Sequence, residues 1–206
     1  IPENNIPFIQ NLESQASLAG FDYLSCGPAT ITEPESYALI PRMLAQTTKT
    51  FFSGIIADET NGISLTAIRA CAQIVAEAAK LEANGFANLR FSALAYVPPF
   101  GPFFPGSFHS PGQPPAVSIA IEGADDVVEV FSNAPTLLHA RENLIARLEN
   151  HANQIALLLG DLLVDTKIVF QGFDFSVAPF PKDAASLGNA LELLGAGKLG
   201  KHGSLA

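Results

Sequence analysis

The chain has few cysteines, little positive charge, no long apolar run and no cofactor motif. Its two cysteines, Cys26 and Cys71, form neither a CxxC pair nor any Cys/His ligand spacing, which excludes the common zinc motifs. Both thiols are expected to be free, in a reducing compartment. Eleven Lys and Arg stand against 20 Asp and Glu, a net charge of -9, with no basic cluster. Phosphate-backbone binding therefore lacks its electrostatic footprint, and neither nucleic acid nor an anionic membrane is expected as a partner. The apolar run IALLLGDLLV is too short to cross a bilayer and carries Asp161. The chain opens at Ile1 without a signal-peptide pattern, and a cytoplasmic protein is expected. No Gly-rich phosphate loop follows a strand, and no haem or pyridoxal phosphate signature appears, so the sequence names no cofactor.

What is present is a core. Hydrophobic residues make up 48% of 206 and charged residues 15%, too much apolar surface for a disordered chain. The length suits one domain over residues 1–206. Helix and strand patterns recur in turn. Ile6, Ile9, Leu12, Ala16 and Ala19 make a helical stripe closed by Gly20. A short strand, FDYLSCG, follows, then a helix from Glu35 bent or interrupted by Pro41, then the strand TFFSGIIA. Residues 62–85 read as a helix capped by Ser64, with Leu81 on its apolar face and Gly85 at its end. NLRFSALAYV has apolar residues on both faces, as a central strand needs. A strand AVSIAIEG, a short helix ADDVVEVFSN and a long helix from Thr136 come next. The long helix has an apolar stripe of Leu137, Leu144, Ile145, Leu148, Ala152, Ile155 and Leu159. The strand KIVFQGFDFSVAP and a helix ending at Gly195 complete the pattern. This is an α/β chain of largely parallel strands alternating with helices. In such folds functional groups gather at the carboxyl ends of strands, which selects Cys26, Asp58, Tyr96 and the loop after it, Glu122, and Asp174 with Ser176.

That loop, YVPPFGPFFPGSFHSPGQPP, holds seven prolines, four phenylalanines and one histidine, His109. Proline fixes φ and restricts the residue before it, so the loop is stiff. Phenylalanines such as Phe104 could wall a ligand pocket. Two readings stand: the loop holds His109 still in a dry place for chemistry, or it is a lid over the core with His109 merely hydrogen-bonded. Asp174 lies between Phe173 and Phe175. Burial there would raise its pKa and suit general acid or base work; alternatively it accepts backbone N–H bonds from a loop. Cys26, ending a strand, and Cys71, on a helix stripe, read as packed thiols. DETNG, 58–62, lacks the ligand spacing of a calcium loop, and the acids of EGADD, 122–126, suit a helix dipole. His139 is expected in solvent and His151 at the edge of the core.

The segments IPRMLAQTTKTFFSGIIADETNGISLTAI, PFFPGSFH, FDFSVAPFP and GKHGSLA, in that order, resemble the UPF0210 (DUF711) family across nearly all 206 residues. The resemblance implies about half of a ten-stranded α/β barrel related to that of the glycyl radical enzymes, since family members extend further at both ends. The glycyl radical motif is absent from the chain, so radical chemistry does not carry over. By the family motifs His109, Asp174, Ser176 and His202 carry over. The resulting expectation is a small-molecule protein, with His109 and Asp174 in acid/base work or on a divalent metal, and Phe104, Ser176 and His202 binding the ligand. The second reading is a non-catalytic binding or assembly module: exposed half-barrel edges favour a homo-oligomer or a companion chain.

Overall fold

The computed structural model of the chain describes residues 5–102, 106–177, 182 and 185–202. It forms two compact units, Ile1–Gln113 and Pro114–Ala206.

The first unit runs α1 (Asn5–Leu18), β1 (Leu24–Ala29), a 3-10 turn (Pro34–Leu39), α2 (Ile40–Gln46), β2 (Thr50–Asp58), β3 (Gly62–Ile63), α3 (Leu65–Ala78), a second 3-10 turn (Phe86–Arg90) and β4 (Phe91–Ala95). Pro41 does not bend one helix. It stands in the first turn of α2, where its missing N–H costs nothing, and the pattern before it tightens into the 3-10 turn. Ser64 caps α3 by accepting from the Ala67 amide. That helix stops at Ala78, short of the expected Gly85, so Leu81 lies beyond it and is exposed.

β2 is the central strand, parallel to β1 on one side and to β4 on the other. Ala57 pairs with both Ile63 of β3 and Ala95 of β4; one residue can do so only if these strands flank it. Here the sequence reading is corrected. NLRFSALAYV was expected to be central, but among the described residues β4 pairs only with β2. Its apolar faces are buried by packing: Phe91 joins the helix-side core, and Leu94 is buried as well. Phe52 packs with Tyr37, Ile40, Met43, Leu44, Cys71 and Ile74 in that core. By alternation Phe51, Ser53 and Ile55 project from the other face of β2, and all but Ile55 of these are buried.

The second unit runs β5 (Ala116–Ala120), α4 (Ala124–Asn133), α5 (Leu137–Leu163), β6 (Val169–Asp174) and α6 (Leu187–Leu193), with β5 and β6 parallel. The ladder skips Gln171, and Gly172 takes φ +114° at this bulge, a region open mainly to glycine. Thr136 caps α5. The expected stripe of α5 is half-buried at Leu144, Leu148, Ala152, Ile155 and Leu159 and exposed at Leu137 and Ile145. Among the described residues of α5 only Ala140 is buried, and Leu157, Leu158 and Leu162, off the stripe, are exposed. Polar bonds tie α5 to α4: Arg147 donates to Asp126 and Glu129, and His151 faces Asp126 at 3.4 Å. His151 is thus partnered and half-buried, and His139 is exposed, bonded to Thr136.

The fold class is therefore α/β with largely parallel strands joined through helices. No described helix is long and apolar enough to cross a membrane.

Candidate functional site

The carboxyl ends of β2 and β4 carry Asp58 and the loop that leads to His109. Asp58 ends β2 and accepts from the amides of Thr60 and Asn61 and from the Asn61 side chain. Those bonds, the Asn61 side chain's first, hold its carboxyl below the usual range. Its acceptor capacity is used within its own loop, as expected of DETNG. Among the described residues no cluster of three or more His, Cys, Asp or Glu could hold a metal.

The loop after β4 leaves the strand through Tyr96 at φ +55° and turns again at Phe100, φ +66°. Such angles are costly for aromatic residues and persist where surrounding structure enforces them. Two bonds show the enforcement. The Phe100 amide donates to the Phe108 carbonyl, closing the loop on itself, and the Ser25 hydroxyl donates to the Ser107 carbonyl, tying it to β1. His109 follows directly and packs edge-on against Phe100, with ring centroids 4.9 Å apart. The loop is held, as the prolines imply, but the imidazole is exposed rather than dry. The reason is local: Phe100 packs edge-on against the ring, and residues 111–115 past it are themselves exposed. Phe104 lies outside the described residues.

Asp174 ends β6, half-buried. Its Oδ1 accepts from the Ser176 amide at 2.7 Å. The Ser176 side chain and amide hold the carboxyl below its usual value, outweighing burial. The expected upward shift is corrected: flanking phenylalanines do not bury a group at a strand's end, and the next turn supplies a donor. Asp174 is a carboxylate that accepts a loop N–H. Ser176 and His202 are exposed.

Both cysteines are packed thiols. Burial pushes each up to about 11, with the Glu13 charge adding to the effect at Cys26. Neither is an activated nucleophile.

Three buried or half-buried polar groups escaped the sequence reading. Glu13 on α1 accepts from the amides of Thr48 and Lys49 and from the Thr50 hydroxyl. Arg90, 6% exposed, donates to the carbonyls of Leu44, Thr47 and Thr50, closing the carboxyl end of α2 with a cation. Ser53 of β2 is buried, and its hydroxyl has no hydrogen-bond partner among the described residues. Glu13 and Arg90 act on partners some 35 to 46 residues away, beyond any local pattern. Ser53 did leave a signal: a lone hydroxyl inside the apolar run TFFSGIIA.

Parallel strands joined by helices, with Asp58 and Asp174 at strand carboxyl ends, define an α/β protein. The chain belongs to the family described as Uncharacterised ACR (DUF711), whose profile matches residues 2–206. It is similar to UPF0210 proteins of Acetivibrio thermocellus (28% identity, 99% of this chain and 48% of the relative) and Methanopyrus kandleri (30% identity, 95% and 45%). The UPF0210 protein of Pyrobaculum islandicum is 31% identical over 73% of this chain and 33% of its own length. The chain spans about half the length of the first two relatives or less.

Proposed function

We propose that the protein binds a small molecule at the strand-end rim under the Pro/Phe-rich loop, as a cytoplasmic α/β-barrel protein of which this chain forms about half the barrel in a single α/β domain. The observation that carries this reading is the loop's construction. Two aromatic residues are forced to positive φ, and two hydrogen bonds fix the loop where the exposed imidazole of His109 begins. A surface loop with no task has no cause to keep such strain. His109 and Asp174 are the groups whose loss removes ligand binding. His109 serves as acid, base or metal ligand; Asp174, its carboxyl held below the usual value, serves as base, acceptor or metal ligand. Phe104, Ser176 and His202 contribute to holding the ligand.

The test is a thermal-shift screen of metabolites and divalent metals, with metal content measured on the purified protein. A hit should be lost in His109→Ala and in Asp174→Asn, both folded by circular dichroism. Unaltered binding in both variants removes the reading.

A second reading is an assembly module using the same rim without chemistry. The exposed leucines of α5 favour it.

A further inference from the structure

The segment after α6, GAGKLGKHG, spaces glycines as G-x-G-x-x-G at positions 195, 197 and 200. It follows a helix rather than a strand, so it is not the dinucleotide fingerprint. All three glycines have positive φ, +86°, +76° and +77°, a region that side chains disfavour. A Cβ on any of them would meet nothing within 4 Å. Conformation rather than crowding therefore calls for glycine, and the space beside this backbone is open. Leu199 anchors the loop. Its Cδ2 lies 3.1 Å from where a Cβ on Gly188 would stand, so the chain folds back along α6.

The loop already holds an anionic group, one of the protein's own. The Leu199 amide donates to Glu192 Oε1 at 2.9 Å, and Lys198 Nζ lies 3.3 Å from Oε2. The amide first, and then the ammonium, hold this carboxyl below its usual value. Further donors are left over. The amides of Gly197, Lys198, Gly200 and His202 donate to no other described group. The Lys198 side chain is 80% exposed, and Lys201 and His202 stand exposed beside it. Three such groups fall far short of a phosphate-backbone footprint, but they suffice for one anionic group. α6 bears no other acid. On α4, which packs against α6, Asp126 and Glu129 are paired with Arg147.

We propose that residues 197–202 bind a phosphate group of a small ligand, with Glu192 as the resident anion that the phosphate displaces from Leu199 and Lys198. A phosphate presents three strong acceptor oxygens, which suits a loop with amides to spare once a carboxylate is served. Glu192 sets a threshold, because an incoming anion must out-compete a tethered one. The loop belongs to the second unit and shares only His202 with the site proposed above. It stands whether or not His109 and Asp174 bind a ligand.

The test titrates inorganic phosphate, phenyl phosphate and acetate into the full chain, followed by amide NMR. Both phosphates should bind saturably and shift the amides of Gly197, Lys198, Gly200 and His202, the ester at least as tightly as the free ion. Acetate, with less charge and fewer oxygens, should bind about tenfold more weakly. Glu192→Gln keeps an oxygen for the Leu199 amide but drops the charge. It should bind phosphate about fivefold more tightly, the scale of an exposed charge pair. Lys198→Ala should weaken binding by a similar factor, while Lys167→Ala and His109→Ala should leave it unchanged. The proposal is overturned by the absence of saturable phosphate binding in both the parent and Glu192→Gln, or by a Glu192→Gln affinity no better than the parent's. Acetate binding as tightly as phosphate, or exclusion of the ester, overturns the ligand assignment. A loss in Lys167→Ala equal to that in Lys198→Ala would mark a diffuse charge effect and overturn the site.

Discussion

Glu13 shows how one side chain can hold a connection together. It sits half-buried on α1, yet its carboxylate collects the Thr48 and Lys49 amides and the Thr50 hydroxyl, where the chain enters β2. Burial alone would raise its pKa. The Thr50 hydroxyl and the Thr48 and Lys49 amides outweigh burial, and the net shift is downward from 4.5. A carboxyl with a depressed folded pKa adds stability that is complete above its unfolded value and is lost as pH falls through the folded one. The Glu13 contribution is thus expected at neutral pH and should fade below about pH 4.5. Glu13→Gln should cost about 2 kcal/mol at pH 7, the worth of charge-assisted bonds, and the gap to the parent should narrow on acidification. Urea unfolding at several pH values measures both. Sequence could not single out Glu13: on a helix rich in polar residues, nothing marks the one whose partners lie far along the chain. It did single out Asp174 and offered two environments, of which acceptance of a loop N–H holds and burial with a raised pKa does not. Flanking phenylalanines suggested burial, whereas the turn residue Ser176, two positions on, set the carboxyl's state.

Among the elements, those with their own local signals were readable. α4 has the bounds its sequence suggests, and Ser64 and Thr136 cap the helices they precede. The bounds of α3 were less readable, because apolar spacing continues past the point where turns take over at Lys80 and Leu81. The rank of the strands was not readable either. Apolar residues on both sides of NLRFSALAYV fit a central strand, yet the centre is β2; burial of both faces says nothing about which edge is paired. The stripe on α5 marked its half-buried side, but a leucine repeat does not say what covers the exposed leucines beside it. Pairing has a measurable consequence. β2 is hydrogen-bonded on both sides, whereas among the described residues β5 and β6 make a sheet of two, and two strands alone are marginal. Amide hydrogen exchange should be slowest in residues 51–56 and at least tenfold faster across β5 and β6. Equal protection in the two sheets would contradict this.

At the scale of the molecule, the parallel α/β class was legible because alternating helix and strand patterns permit few other arrangements. The motif order also pointed to the family that the chain belongs to. What sequence could not supply is what lies against Leu137, Leu157, Leu158 and Leu162, since that depends on surfaces beyond local pattern. These residues, with the side of β4 that pairs with no other described strand, favour association. The chain studied alone should therefore run in multi-angle light scattering as a dimer or larger species. Changing Leu157 and Leu158 to Lys should shift it toward the 21.7 kDa monomer with little loss of stability, because neither is buried. A parent that is already monomeric at high concentration would count against the assembly reading.

The double pairing of Ala57 has one more consequence. Three neighbours read the length of β2 at once: two running with it and one against it. A residue inserted between Phe52 and Gly54 would put the β1 and β4 ladders out of step together, and would turn the side chains beyond it to the opposite face. Length variation in this unit therefore belongs in its connections, and β2 is the ruler against which the others are set.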